Sequence, residues 1–68
     1  MKSMSPIKYI HEEGNRLLIA FWKHDGIFHA RLSDREICAR LREACQKEEI
    51  LSFTFDAKLR ILSVPARE

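Results

Sequence analysis

Apolar and polar residues alternate through "PIKYIHEEGNRLLIAFWKHDGIFHARL", residues 6–32, and turn-forming pairs break the alternation twice. Pro6 can open a strand but cannot sit in its middle, so residues 7–11 are expected as a first strand. Gly14-Asn15 suits a two-residue type II′ hairpin loop, with glycine supplying the positive φ. Residues 17–24 read as a second strand. Asp25-Gly26 is the stronger hairpin signal, a type I′ pair, and residues 27–32 follow as a third strand.

After Leu32 the period changes from two to 3.6. Ser33 and Glu36 make an S-x-x-E capping box, and Leu32 and Ile37 a hydrophobic staple. Asp34 and Glu36 complement the positive end of the helix dipole. The helix should run over residues 33–49. Its apolar stripe is Ile37, Cys38, Leu41, Ala44 and Cys45, opposite Glu36, Arg40, Glu43 and Lys47. Leu51, Phe53 and Phe55 then alternate with Ser52 and Thr54, as in a half-buried strand. Leu59 and Ile61 resume that alternation after Asp56-Ala57-Lys58, which predicts a second hairpin with a three-residue loop, ended by Pro65. Residues 1–5 are expected as a loose end and 66–68 as a frayed one. The expected fold is a single α+β domain over residues 1–68, in the order β-β-β-α-β-β, with an antiparallel sheet or sheets and one amphipathic helix packed on one face.

The turns also imply registers. A two-residue loop at Gly14-Asn15 puts Tyr9 opposite Ala20 and Ile10 opposite Ile19. A two-residue loop at Asp25-Gly26 puts Trp22 opposite His29 and Phe21 opposite Ala30. Paired residues share a face. One face then holds Ile10, Leu17, Ile19, Phe21, Phe28, Ala30 and Leu32. The other holds Ile7, Tyr9, His11, Leu18, Ala20, Trp22, His24, Ile27, His29 and Arg31. A one-residue slip in the first hairpin would move Ile7 and Tyr9 across. Leu32 belongs to the first face and staples the helix, so the helix should cover that face. For the second face there are two readings. Either the C-terminal hairpin folds over it as a second layer of a small sandwich, or it is a binding or dimerisation surface, rich in the Trp, Tyr and Arg that dominate interface hot spots.

Length sharpens the second reading. A chain of 68 residues buries only about 60 % of the surface its unfolded form exposes, and such small domains often lean on disulfides, metals or a second subunit. Composition adds little: 46 % apolar and 32 % charged residues are those of an ordinary globular chain. The net charge of +2 comes from 12 Lys and Arg against 10 Asp and Glu, interspersed along the chain rather than clustered as in dedicated nucleic-acid binders. No run approaches the ~18 consecutive apolar residues of a membrane span. "MKSMSPIKYIHEEG" has no apolar secretory core, so no signal peptide is expected. Cys38 and Cys45, seven apart on one helix, would lie about 10 Å apart along its axis. That exceeds the roughly 7 Å a disulfide tolerates. A reduced, cytoplasmic protein follows.

Candidate chemistry is sparse. His11, His24, His29, Cys38 and Cys45 are potential ligands, but their spacings fit no zinc motif, so neither a metal nor a cofactor is expected. The cysteines face the apolar side and the histidines mostly the other, which disfavours a Cys–His pair. Both glycines fit hairpin turns, and Glu12-Glu13 and Glu48-Glu49 fit a turn and a helix end. No enzyme is expected, and no small-molecule substrate is evident. The leading expectation is a small non-catalytic protein-interaction module: a homodimer, a subunit, or an inhibitor or adaptor of a larger protein. It would bind through the surplus sheet face, at Tyr9, Trp22, Ile27, His29 and Arg31, or through an exposed strand edge. The alternative is a single-stranded nucleic-acid binder using the same face as a stacking platform, with Arg16, Lys23, Arg35 and Arg42 as a positive rim.

Overall fold

The first strand carries the architecture. In the computed structural model, which describes residues 1–65, β1 (Lys2–Glu13) is 12 residues long and is shared by both halves of the chain. Its second half pairs antiparallel with β2 (Arg16–Phe21), and its first half pairs antiparallel with β4 (Ile50–Phe55). β3 (Phe28–Arg31) adds beside β2 and β5 (Ile61–Ser63) beside β4, giving one five-stranded sheet in the order β3-β2-β1-β4-β5. The helix α1 (Arg35–Lys47) packs against it. The α+β class and the order β-β-β-α-β-β are those read from the sequence. Residues 2–5, expected as a loose end, are strand, because β4 supplies their backbone partners from Lys2↔Thr54 to Pro6↔Ile50. The expectation for 66–68 lies outside the described residues.

The first hairpin has the expected register, with Tyr9 opposite Ala20 and Ile10 opposite Ile19. Gly14 takes φ +61° and Asn15 is not left-handed, as a type II′ turn requires. Lys8 is an extra residue, since the pairing jumps from Tyr9↔Ala20 to Ile7↔Phe21. This β-bulge shifts the alternation by one. Ile7, assigned from the sequence to the second face, therefore points inward and is buried, as is Ser5.

The second hairpin departs from expectation. Leu17 pairs with Ala30 and Ile19 with Phe28, so Trp22 does not face His29, and residues 22–27 form a loop. The offset is four residues, an even number, so Leu17, Ile19, Phe21, Phe28 and Ala30 still share the buried face. Tertiary bonds override the Asp25-Gly26 signal. Trp22 N–H donates to the Pro6 carbonyl at 3.1 Å, and Lys23 N–H donates to the buried Ser5 Oγ at 3.1 Å. The His24 ring lies 5.6–6.4 Å from the rings of Phe21, Phe28, Phe53 and Phe55 and bonds Ser3 Oγ. Gly26, at φ +87°, comes so near Leu59 that an added Cβ would meet its side chain at 3.1 Å.

The capping box also fails to form. Asp34 N–H bonds the Arg31 carbonyl, the helix spans Arg35–Lys47 rather than residues 33–49, and Asp34 replaces Ser33 as its N-cap without a side-chain cap bond. Glu36 instead pairs with Arg40, four residues on. Cys38, Leu41 and Ala44 are buried as expected, with Ile37 and Cys45 partly so. The helix ends on Glu48 at φ 54°, and Glu49 N–H returns to the Ala44 carbonyl, a Schellman-type stop that usually uses glycine.

The C-terminal hairpin does not cover the second face. It extends the same sheet through β1, which rules out the small sandwich. Its inward residues are Leu51, Phe53, Phe55 and Ile61, the set expected, and Leu59 packs against them. The sheet curls until its two ends meet, where His29 N–H donates to the Leu59 carbonyl at 3.0 Å. Phe21 and Phe53 stack at 4.2 Å inside this curl, with Phe28 edge-on to both. Among the described residues no helix is long and apolar enough to cross a membrane.

Phe53 is fully buried, and Phe→Ala at such a site costs about 3–5 kcal/mol. A domain this small holds little more than that. Phe53→Ala should therefore be largely unfolded by circular dichroism at ambient temperature. Glu48→Gly should instead raise stability by about 1 kcal/mol in urea melts, because glycine relieves the left-handed strain.

Candidate functional site

The buried residues are apolar apart from Ser5, so the candidate sites lie on the outer surface. Two regions stand out, and by strand order they lie on opposite sides of the curled sheet.

The first is the outer face of β1 and β4. Outward residues of β1 before the bulge are Lys2, Met4 and Pro6, opposite Thr54, Ser52 and Ile50. Met4 and Ile50 are each 59 % exposed. Trp22 is held beside them by its bond to Pro6 and is 63 % exposed. Lys8, the bulge residue, lies with its ammonium 4.9 Å from the centre of the Trp22 ring, a cation–π pair. Tyr9, paired with Ala20, continues the face and is 47 % exposed. Lys2, Lys8 and Lys23 border this apolar surface, and none pairs with a carboxylate among the described residues.

The second region is the seam where β3 meets the turn before β5. Asn15, Arg16, His29, Arg31 and Arg60 line a cavity of about 220 Å³ there. Arg16 and Arg31 are directly paired across β2 and β3. Arg60 is brought in by a parallel bridge to His29. Its Nε is buried and has no acceptor among the described residues. Leaving a buried donor unsatisfied costs about 1–3 kcal/mol, and more for a charged group. His29 Nε2 donates to the Lys58 carbonyl at 3.2 Å. Asp56 organises the adjoining turn: its Oδ1 accepts the N–H groups of Lys58 and Arg60. The bond from Arg60 N–H is the main reason its carboxyl titrates below the ordinary aspartate range, with the Lys58 N–H and the charges of Arg60 and His29 adding to it.

The five residues singled out from the sequence are thus divided. Tyr9 and Trp22 adjoin the first region. His29 and Arg31 belong to the second. Ile27 is exposed in the loop before β3. Met4 and Ile50 were missed because residues 1–5 were read as loose; alternation carried back from Ile7 with a bulge at Lys8 would have found Met4. Arg60 had no local signal, since only closure of the sheet brings it to His29.

The cysteines are free thiols and belong to the core face. Burial pushes the Cys38 thiol up, the nearby Arg42 charge only partly offsetting it, and its Sγ–H donates to the Arg31 carbonyl. A buried, protonated thiol is a poor nucleophile. No group of three or more His, Cys, Asp or Glu side chains gathers among the described residues. Comparison with protein-family models, with curated proteins and with solved structures finds no match to this chain.

Asp56 generates a pH prediction. A carboxyl whose folded pKa is depressed stabilises the fold fully above its unfolded pKa and loses that contribution as pH falls through the folded one. The stability gap between wild type and Asp56→Ala should be constant near neutrality. It should shrink once pH drops below the ordinary aspartate value, as read from urea midpoints.

Proposed function

We propose that this protein is a small non-catalytic interaction module that docks a partner protein on the outer face of β1 and β4. The carrying observation is the joined exposure of Met4, Trp22 and Ile50 on a surface bordered by unpaired lysines. Monomeric proteins rarely leave neighbouring large apolar side chains bare, and Trp is among the residue types most often found as hot spots. The lysines specify the occupant: an apolar segment carrying acidic residues. A second copy fits less well. A two-fold contact would set this positively bordered surface against itself, and like charges at an interface cost several kcal/mol. The strand edges contribute little to this reading, because the edge strands are short and meet each other at His29 and Leu59. The two free thiols support a reducing, cytoplasmic setting.

A benzophenone side chain placed at position 22 in the full chain tests this in the cells that make the protein, with position 46 on the exposed helix face as control. The expected result is one discrete protein adduct from position 22 only. That partner, purified, should bind the wild type less tightly as salt rises. Trp22→Ala should weaken this binding at least tenfold, about 1.4 kcal/mol, and shift stability by no more than ~0.5 kcal/mol, as an exposed side chain should. An adduct of twice the chain's own mass would replace the partner with a second copy. Equal labelling from both positions, or none, would overturn the proposal.

A further inference from the structure

We propose that the seam cavity is a binding site for a phosphoryl dianion, with Arg16, Arg31 and Arg60 as its charged donors. It is independent of the docking face, since the seam lies at the ends of the strand order and β1 at its middle.

The argument begins with an electrostatic cost. Arg16 and Arg31 stand directly opposite each other on neighbouring strands, a placement that is destabilising for like charges. Closure of the sheet adds Arg60 to the same cavity. Three arginines thus line about 220 Å³ with His29 and Asn15. None of the three makes an ion pair with a carboxylate among the described residues. The ion pairs of the fold involve Arg40, Arg42 and Lys47 instead. Glu13 faces Arg16 across β1 and β2 and makes no ion pair with it. Asp56 offsets part of this charge at Arg60 and His29, and a single carboxylate, its Oδ1 held by two backbone N–H groups of its own turn, leaves the cluster net positive.

The second line is donor capacity. His29 Nε2 is already bonded to Lys58 and the Arg60 Nε is buried without an acceptor among the described residues, closed off from the cavity unless the side chain shifts, so the remaining guanidinium N–H groups are the donors for a ligand. A tetrahedral oxyanion supplies several acceptors at once, and the planar guanidinium fork matches phosphate oxygens two at a time. The arginines converge on one cavity rather than following a line, as they would along a nucleic-acid backbone. The geometry therefore favours one phosphoryl group, either free phosphate or the phosphomonoester of a small molecule.

The test is an NMR titration of the full chain with inorganic phosphate, at ionic strength held constant with chloride. The arginine Nε–Hε resonances and the backbone amides of β3 are the readout. The expected result is saturable shifts at Arg16, Arg31 and Arg60, absent when chloride alone is raised. Loss of one charge-assisted contact should weaken binding about tenfold or more in Arg31→Gln. Arg31 is exposed, so this variant remains folded even if Arg60→Gln does not. Phenyl phosphate binding more tightly than phosphate would identify an ester as the ligand; equal affinity would identify the free ion. Shifts that grow linearly without saturation, or that persist unchanged in Arg31→Gln, would overturn the site. So would saturation by an oligothymidylate strand but not by phosphate, which would reassign the arginines to a nucleic-acid backbone.

Discussion

Everything in this fold depends on one strand being used twice. β1 gives its first half to β4 and its second half to β2, and the extra residue at Lys8 lets both halves face the same core. Without that bulge, inward Ile10 would imply inward Lys8 and Pro6. With it, Ile7 and Ser5 are buried, and Met4 and Pro6 turn out. The bulge also bends the strand, as bulges do. A bent central strand lets the two flanking hairpins curl toward each other until His29 and Leu59 bond. A chain of this size gains from such closure, because a curled sheet encloses more apolar surface than a flat one of the same length.

The interior that results is aromatic and well tied. Phe21 and Phe53 come from strands on either side of β1 and stack across it. His24 covers the end of this cluster and is held by Ser3, while the loop that carries it is anchored through Pro6 and Ser5. An imidazole in such a place serves packing: it meets the phenylalanine rings in T-shaped contacts and gives a nitrogen to a hydroxyl. The same tie leaves Trp22 outside.

Charge is distributed with the same economy. Carboxylates pair with cations along the exposed helix face, at Glu36–Arg40 and Glu43–Lys47, and from helix to sheet at Glu12–Arg42. The lysines around Trp22 and the arginines of the seam are left without such partners among the described residues. A net charge of +2 thus conceals two separate positive regions of different character. One is a loose border of flexible ammonium groups around apolar side chains. The other is a convergence of planar guanidinium groups on a cavity. Lysines bordering an apolar patch suit a protein surface, and converging guanidiniums suit a compact oxyanion.

Local chemistry was enough for much of this. Alternation separated Leu17, Ile19, Phe21, Phe28 and Ala30 from their outward neighbours, and Gly14-Asn15 determined the register of the first hairpin. The period change after Leu32 located the helix and its buried stripe. These features follow from contacts between residues close in the chain, which a linear pattern records. The register of β3, the bulge at Lys8, the start of the helix and the position of the C-terminal hairpin were decided otherwise. The helix start follows a local bond from Asp34 N–H to the Arg31 carbonyl that competes with the capping box, and the others depend on partners distant in sequence: Pro6 and Ser5 for the loop at 22–27, β4 for residues 2–6, and Leu59 for the closure. Both candidate sites are of this second kind. Met4 and Ile50 share the outer face only because β1 pairs with β4, and Arg60 joins Arg16 and Arg31 only because the sheet closes at His29. Tertiary structure alone decides which exposed side chains become neighbours, since no local periodicity encodes proximity between segments that only folding brings together.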